Sequence, residues 1–256
     1  MVLFAYATLF VVGSILASFV GVVVSRINTG QGFFTGRSRC DACNTPLTPL
    51  TLVPIISYLT LRGRAHCCGT RFSPLAPLSE LLLGGLFVLA YSTLGLTMAL
   101  PLMLLSLTML LALVLYDFAH QILPPTLLLT FVVASVLTGY AIAPSIAAFS
   151  KALLVAFLIA MSLALIHFLS RGRAMGLSDA PLAFGLALLA GPAALPGFIF
   201  SFWIGAVIGI AILARRPVGS RMMVEVPFAP YLAAGFLLAY FTQWNPFALI
   251  ASTPIH

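Results

Sequence analysis

Two aspartates, Asp117 and Asp179, stand where apolar runs meet short polar loops. Their local sequences are Leu115-Tyr116-Asp117-Phe118-Ala119-His120 and Met175-Gly176-Leu177-Ser178-Asp179-Ala180-Pro181-Leu182. The chain has only three other acidic residues, Asp41, Glu80 and Glu225. A carboxylate at the centre of a membrane helix costs roughly 2.5–3.5 kcal/mol on insertion scales, less near the interface. A chain this poor in charge keeps such groups for a reason. Two carboxylates that meet at one face of a membrane can hydrolyse a peptide bond. The ionised one takes a proton from the attacking water, and the protonated one polarises the scissile carbonyl. Like charges at close quarters share one proton, and no metal is needed. Helix capping is the competing use. Asp179 precedes Ala180-Pro181 and suits an N-cap. Asp117, at a helix C-terminus, opposes the helix dipole. Tyr116 and His120 are read as interfacial packing.

The second group of reactive side chains is Cys40, Cys43, Cys67 and Cys68, all within one polar stretch. Cys40-Asp41-Ala42-Cys43 is a C-x-x-C. Outside the cell these residues would form two disulfides, and in the cytosol they would bind a metal or stand as unligated thiols.

The elements that position these groups follow from composition. The chain is 62% hydrophobic and 7% charged, with a mean hydropathy of +1.16, whereas a soluble domain carries about 25% charged residues. This predicts an all-α polytopic membrane protein of about eight transmembrane helices with one cytoplasmic Cys-containing loop domain after the first. The apolar runs are 3–24, 78–97, 99–116, 124–143, 149–169, 180–194, 196–214 and 228–250. The expected organisation is a retained first helix at 1–24, a Cys/Arg-rich loop domain at 25–77 and a transmembrane core at 78–256. Residues 1–24 lack the basic start and cleavage site of a removed signal peptide. Gly191, Pro192, Pro196 and Gly197 predict a tight turn between two helices.

The net charge of +7 is dispersed over short loops, which points to membrane topology and not to nucleic acid. With the N-terminus outside and eight spans, eleven of the twelve Lys and Arg residues fall on the cytoplasmic side, and only Lys151 falls outside. That threading leaves both termini outside and puts Asp117 and Asp179 at one depth on the inner side. Glu80 at the inner end of the second run is read as pairing with an arginine such as Arg71, or as touching substrate. Glu225 would bridge Arg221 at i,i+4 spacing or attract a basic peptide. His167 is read as a satisfied interior or interfacial residue. Gly84, Gly85, Gly205 and Gly209 are expected at close helix contacts.

Along nearly its whole length the chain resembles the type IV prepilin peptidases. The similarity runs through Gly13 to Arg26, the Cys40/Cys43 pair, Pro54-Ile55-Ile56-Ser57-Tyr58-Leu59 and Arg62-Gly63-Arg64. It continues through Phe72 to Leu82, the segment from Asp117 to Pro125, the Asp179 segment, and Val226-Pro227-Phe228-Ala229-Pro230-Tyr231-Leu232-Ala233. The resemblance implies a bacterial inner-membrane aspartyl endopeptidase with Asp117 and Asp179 as the catalytic pair. Its substrate would be the short basic leader and apolar helix of a type IV prepilin or a type II secretion pseudopilin, cut at the cytoplasmic face. Pilus or secretion machinery would be an indirect partner and the lipid bilayer a direct one. The family also methylates the new N-terminus from S-adenosylmethionine, although no glycine-rich nucleotide loop is visible here.

The resemblance further implies a structural zinc site held by four cysteines. Aligned on Arg62-Gly63-Arg64 and Phe72-Ser73, the family's third cysteine falls on Ala65 and its fourth on Cys68. Cys40, Cys43 and Cys68 would then ligate, with Cys67 or His66 as the displaced ligand. The family's second aspartate usually sits in G-x-G-D-x-K-L. Here Ser178 replaces a glycine, which removes backbone freedom, and Pro181 replaces the lysine, which removes a positive charge. Alternative readings are a presenilin-like or signal-peptide-peptidase-like protease and a catalytically impaired membrane assembly factor.

Overall fold

The structure, a computed structural model, describes residues 2–27, 43, 45, 55, 58, 60, 63–64, 67–70, 73–173, 175–215 and 227–246. Among these residues the chain forms helices and no strand. In chain order they are α1 (Val2–Arg26), α2 (Leu75–Leu94), α3 (Ala99–His120), α4 (Pro125–Ile142), α5 (Ile146–Leu169), α6 (Asp179–Ala190), α7 (Ala194–Ala214) and α8 (Ala229–Thr242). A 3₁₀ turn, Gly191–Ala193, joins α6 to α7. Six stretches are long and apolar enough to cross a bilayer, with Asp179–Ala214 counted as one and α8 shorter than the rest. The chain is an all-α multi-pass membrane protein. Exposed residues such as Leu129, Phe168, Val207 and Ile210 form the lipid-facing exterior that this composition requires.

The chain divides into two compact units, Met1–Leu96 and Thr97–His256. In the first, α1 and α2 run antiparallel. Tyr6 meets Tyr91 edge-on at 5.3 Å, Gly13 lies against Gly84, and Ser14 Oγ donates to the Glu80 carbonyl at 3.1 Å. The contacting numbers fall on one helix as they rise on the other. A Cβ on Gly84 would sit 2.8 Å from Ser14 Oγ and 2.9 Å from the Phe10 carbonyl oxygen, so the backbones approach too closely for any side chain.

In the second unit the directions of the helices follow from the same kind of pairing. Ser106 of α3 shares a 3.0 Å hydrogen bond with Thr138 of α4, and Met109 of α3 meets Thr130 of α4, so α3 and α4 are antiparallel. Gly185 of α6 lies on Phe131 and Ser135 of α4, and Gly139 of α4 lies on Leu188 of α6, so α4 and α6 are parallel. Gly197, Ser201 and Gly205 of α7 face Phe236, Leu232 or Gly235, and Tyr231 of α8 respectively, so α7 and α8 are antiparallel. α6 is the innermost element, with ten of its twelve residues buried. It runs parallel to α4 and away from the end where α3 finishes. α7 returns to that end, so the chain reverses at Gly191, whose φ of +55° suits a residue without a Cβ.

The turn is shorter than the proline and glycine pattern implied, because Pro196 and Gly197 lie inside α7. Proline is tolerated in a helix's first turn, where its missing N–H has no acceptor. Gly197 serves packing, since a Cβ there would sit 2.9 Å from Phe236 Cα. The expected glycine contacts also need correction. Gly84 is at a close approach, but Gly85 and Gly209 have open space around the Cβ position, and Gly205 makes only ordinary contacts from 3.5 Å. The tight positions are Gly13, Gly84, Gly185, Gly197 and Gly235. Small-residue spacing marks a helix face that could be approached, but the direction of that face is set by the partner helix.

Candidate active site

At one end of the second unit the C-terminus of α3 meets the N-termini of α6 and α8. α3 ends when Gln121 turns left-handed (φ 55°) and its N–H closes on the Asp117 carbonyl at 2.8 Å. This leaves the Asp117 side chain, buried in the last turn, aimed at another helix. Ala229 N–H at the start of α8 donates to Asp117 Oδ2 at 3.3 Å. Asp117 opposes the dipole of its own helix, as expected, but it compensates the positive N-terminus of α8. Residues 227–233 therefore have a physical task, which is to bring a helix N-terminus onto the first aspartate. Pro230 in the first turn of α8 suits that helix start.

Asp179 is the first residue of α6, and Ser178 occupies the N-cap without a side-chain bond. The expected N-cap role of Asp179 thus gives way to a different one. Its Oδ2 accepts from Gly176 N–H at 3.2 Å, while its own N–H donates to the Gly176 carbonyl at 3.3 Å. The carboxylate closes the turn that precedes its helix. Asp179 is buried, and the Asp117 carboxylate acts on it through charge. The two aspartates are therefore within electrostatic reach of each other, at the end of the unit fixed by antiparallel α3 and parallel α4 and α6. Two acids so placed can differ in protonation, one ionised and one protonated, which is what acid–base work on a water needs.

Tyr116 and His120 stack obliquely, with ring centroids 4.4 Å apart. Tyr116 is buried and His120 is exposed. His167 near the end of α5 was read only as a satisfied residue. It is satisfied, by the Met175 carbonyl, and the residue after Met175 donates the amide that holds the second aspartate.

In the first unit, buried Glu80 accepts from Ile55 N–H through Oε2 at 2.7 Å. Ile55 has φ +60°, which is unfavourable for a β-branched residue, and this bond helps hold it there. The Glu80 carboxylate thus meets a backbone amide of the loop. The sequence-expected partner Arg71, like Glu225 and Arg221, lies outside the described residues. Cys43, Cys67 and Cys68 converge, with their sulfurs all within 4.8 Å of one another. Cys43 and Cys67 are 3.1 Å apart and Cys67 and Cys68 3.8 Å. Thr45 and Thr70 hydroxyls lie 3.1 Å from Cys43 and Cys68. Adjacent Cys67 and Cys68 therefore both point to one spot that could hold a metal. Cys40 and His66 lie outside the described residues.

Residues 11–94 match the family described as Bacterial Peptidase A24 N-terminal domain. The prepilin leader peptidase/N-methyltransferase of Bacillus subtilis (strain 168) is 32% identical over 233 residues, covering 91% of this chain and 92% of that protein. The protein of the same name from Aeromonas salmonicida (strain A449) is 32% identical over 208 residues, 78% of this chain and 70% of that one. In Myxococcus xanthus (strain DK1622) the identity is 34% over 212 residues, and the match spans 62% of a longer relative. No solved structure matches the chain. With nine-tenths of both sequences aligned to the Bacillus protein at this identity, the chain belongs to the prepilin leader peptidase/N-methyltransferase family.

Proposed function

We propose that this protein is a membrane-embedded aspartyl endopeptidase that removes the leader of type IV prepilins or pseudopilins, with Asp117 and Asp179 as its catalytic pair. The observation that carries the reading is two buried carboxylates at one end of the second unit, each held by a backbone amide. One carboxylate, ionised, takes a proton from water as the water oxygen bonds to the scissile carbonyl carbon. The other, protonated, donates to the carbonyl oxygen. Collapse of the tetrahedral species breaks the C–N bond, and the departing amine receives a proton from the pair. Backbone amides of Gly176 and Ala229 hold the two side chains without being consumed.

The active end faces the cytoplasm, and both termini lie outside. What supports this is the distribution of charge in the second unit. Among the described residues Arg171, Arg173 and Arg215 stand in or at connections on the aspartate end, while Lys151 lies near the start of α5 at the other end. Cationic loops favour the cytoplasmic side. A basic leader arriving there would leave its apolar helix against the bundle. The chain is co-expressed with a prepilin in a host lacking its own peptidase, and the pilin is followed by mass. A product shortened by the leader is expected, and full-length pilin in the presence of inserted protein would overturn the assignment.

Methylation of the new N-terminal amine, named in the relatives, is proposed as a second activity with S-adenosylmethionine as donor. No residue is assigned to that donor.

The 25–77 segment is proposed to fold around a structural zinc ion held by Cys43, Cys67 and Cys68, with Cys40 or His66 completing the set. Zinc–sulfur bonds of about 2.3 Å place tetrahedral sulfurs about 3.8 Å apart; Cys67 and Cys68 stand at that separation, and Cys43 and Cys67, at 3.1 Å, would move apart on binding. Four protein ligands leave no open position, so the metal would organise a polar loop with little core of its own. Metal analysis of purified protein should find about one zinc per chain, and Cys43→Ser should lose most of it while leaving the helices in place. Equal zinc in both would remove Cys43 from the ligand set.

A further inference from the structure

α5 ends in a left-handed pair, Arg171 (φ 53°) and Gly172 (φ 75°), with Gly172 N–H donating to the His167 carbonyl at 2.9 Å. The His167 ring packs beneath this pair, and a Cβ on Gly172 would lie 3.3 Å from its Cε1. His167 Nδ1 is 2.8 Å from the Met175 carbonyl oxygen. A carbonyl only accepts, so Nδ1 carries the hydrogen. The next residue, Gly176, donates its N–H to Asp179 Oδ2 at 3.2 Å.

We propose that His167 is a positioning residue for Asp179, because its Nδ1–H, bonded to the Met175 carbonyl, fixes the turn whose Gly176 amide holds that carboxylate. The role in cleavage rests on the peptidase reading above, whereas the mechanical link does not. A neutral hydrogen bond contributes on the order of 1 kcal/mol. That is enough to change the population of a five-residue turn but too little to unfold a helix bundle. His167 touches neither water nor substrate in this account; it acts through Met175 and Gly176.

The test uses full-length protein in lipid nanodiscs. Hydrogen–deuterium exchange is measured at the amides of Gly176 and Asp179 in the wild type, His167→Phe and His167→Asn. Phenylalanine keeps the ring and loses the donor, and asparagine keeps a donor near the Nδ1 position. Exchange in His167→Phe should be about three- to tenfold faster, with wild-type exchange restored in His167→Asn. Amides of Ala183 and Leu186 in α6 should be unchanged in both, as the control for folding. Leader cleavage should follow, with kcat lowered by a similar factor in His167→Phe, KM unchanged, and kcat recovered in His167→Asn. Unchanged exchange in His167→Phe would overturn the link, as would His167→Asn behaving like His167→Phe. If the wild type exchanges as described but cleaves no prepilin, the peptidase reading fails while the link stands.

Discussion

Asparagine in place of either Asp117 or Asp179 lowers leader cleavage by about 10²–10⁴-fold, the usual contribution of a positioned acid or base. Asparagine is the informative choice because each side chain keeps a carbonyl oxygen. That oxygen can still accept from Ala229 N–H in one case and Gly176 N–H in the other. The joins between α3 and α8 and within the turn before α6 should therefore survive, and the variants should insert and melt like the wild type. What is lost is the ability to take or give a proton. The two residues act as a unit, so the double variant should be no slower than the worse single one. Kinetics on purified protein with a prepilin peptide check both statements. Additive losses in the double variant would indicate two independent roles, such as capping, in place of a shared proton.

The second large effect is on stability. A Cβ on Gly235 would fall on the backbone nitrogen and hydroxyl of Ser201, which are main-chain and buried groups that cannot swing away. Ser201 Oγ is already shared between the Gly197 carbonyl at 2.8 Å and the Leu232 carbonyl at 3.2 Å. Gly235→Ala should destabilise the protein by about 1–3 kcal/mol through overpacking, and Gly235→Val by more. Because α8 also carries the amide that holds Asp117, cleavage should fall along with melting temperature. Gly209→Ala on α7 is the matched control. Nothing lies within 4 Å of its Cβ position, so its effect should stay within about 0.5 kcal/mol. Thermal unfolding of the two variants in the same detergent makes the comparison.

The order and type of the helices were legible because roughly 20 apolar residues per crossing leave a clear mark, and the two aspartates interrupt that mark. The turn at Gly191 was legible for a similar reason, although its end at Ala193 was not. Rotation of each helix about its axis was hidden. In a soluble helix the polar face reveals the buried one, but here the outward face meets hydrocarbon and the inward face meets other helices, so both are apolar. Gly205 and Gly209 therefore looked as suitable for close packing as Gly197 and Gly235. The amides that hold the aspartates were hidden too, because every residue but proline has one. His167 gave no signal of its own, since its partner is a carbonyl that only the fold brings near.

The central claim is that Asp117 and Asp179 converge at one end of the bundle. The most direct measurement is thiol bridging in membranes between Asp117→Cys and Asp179→Cys in one chain, using a short bifunctional reagent and mapping the product by mass spectrometry. An intramolecular bridge is expected between positions 117 and 179, and none between Lys151→Cys and Asp179→Cys, which lie at opposite ends of the second unit. No bridge in the first pair, or equal bridging in both, would contradict it.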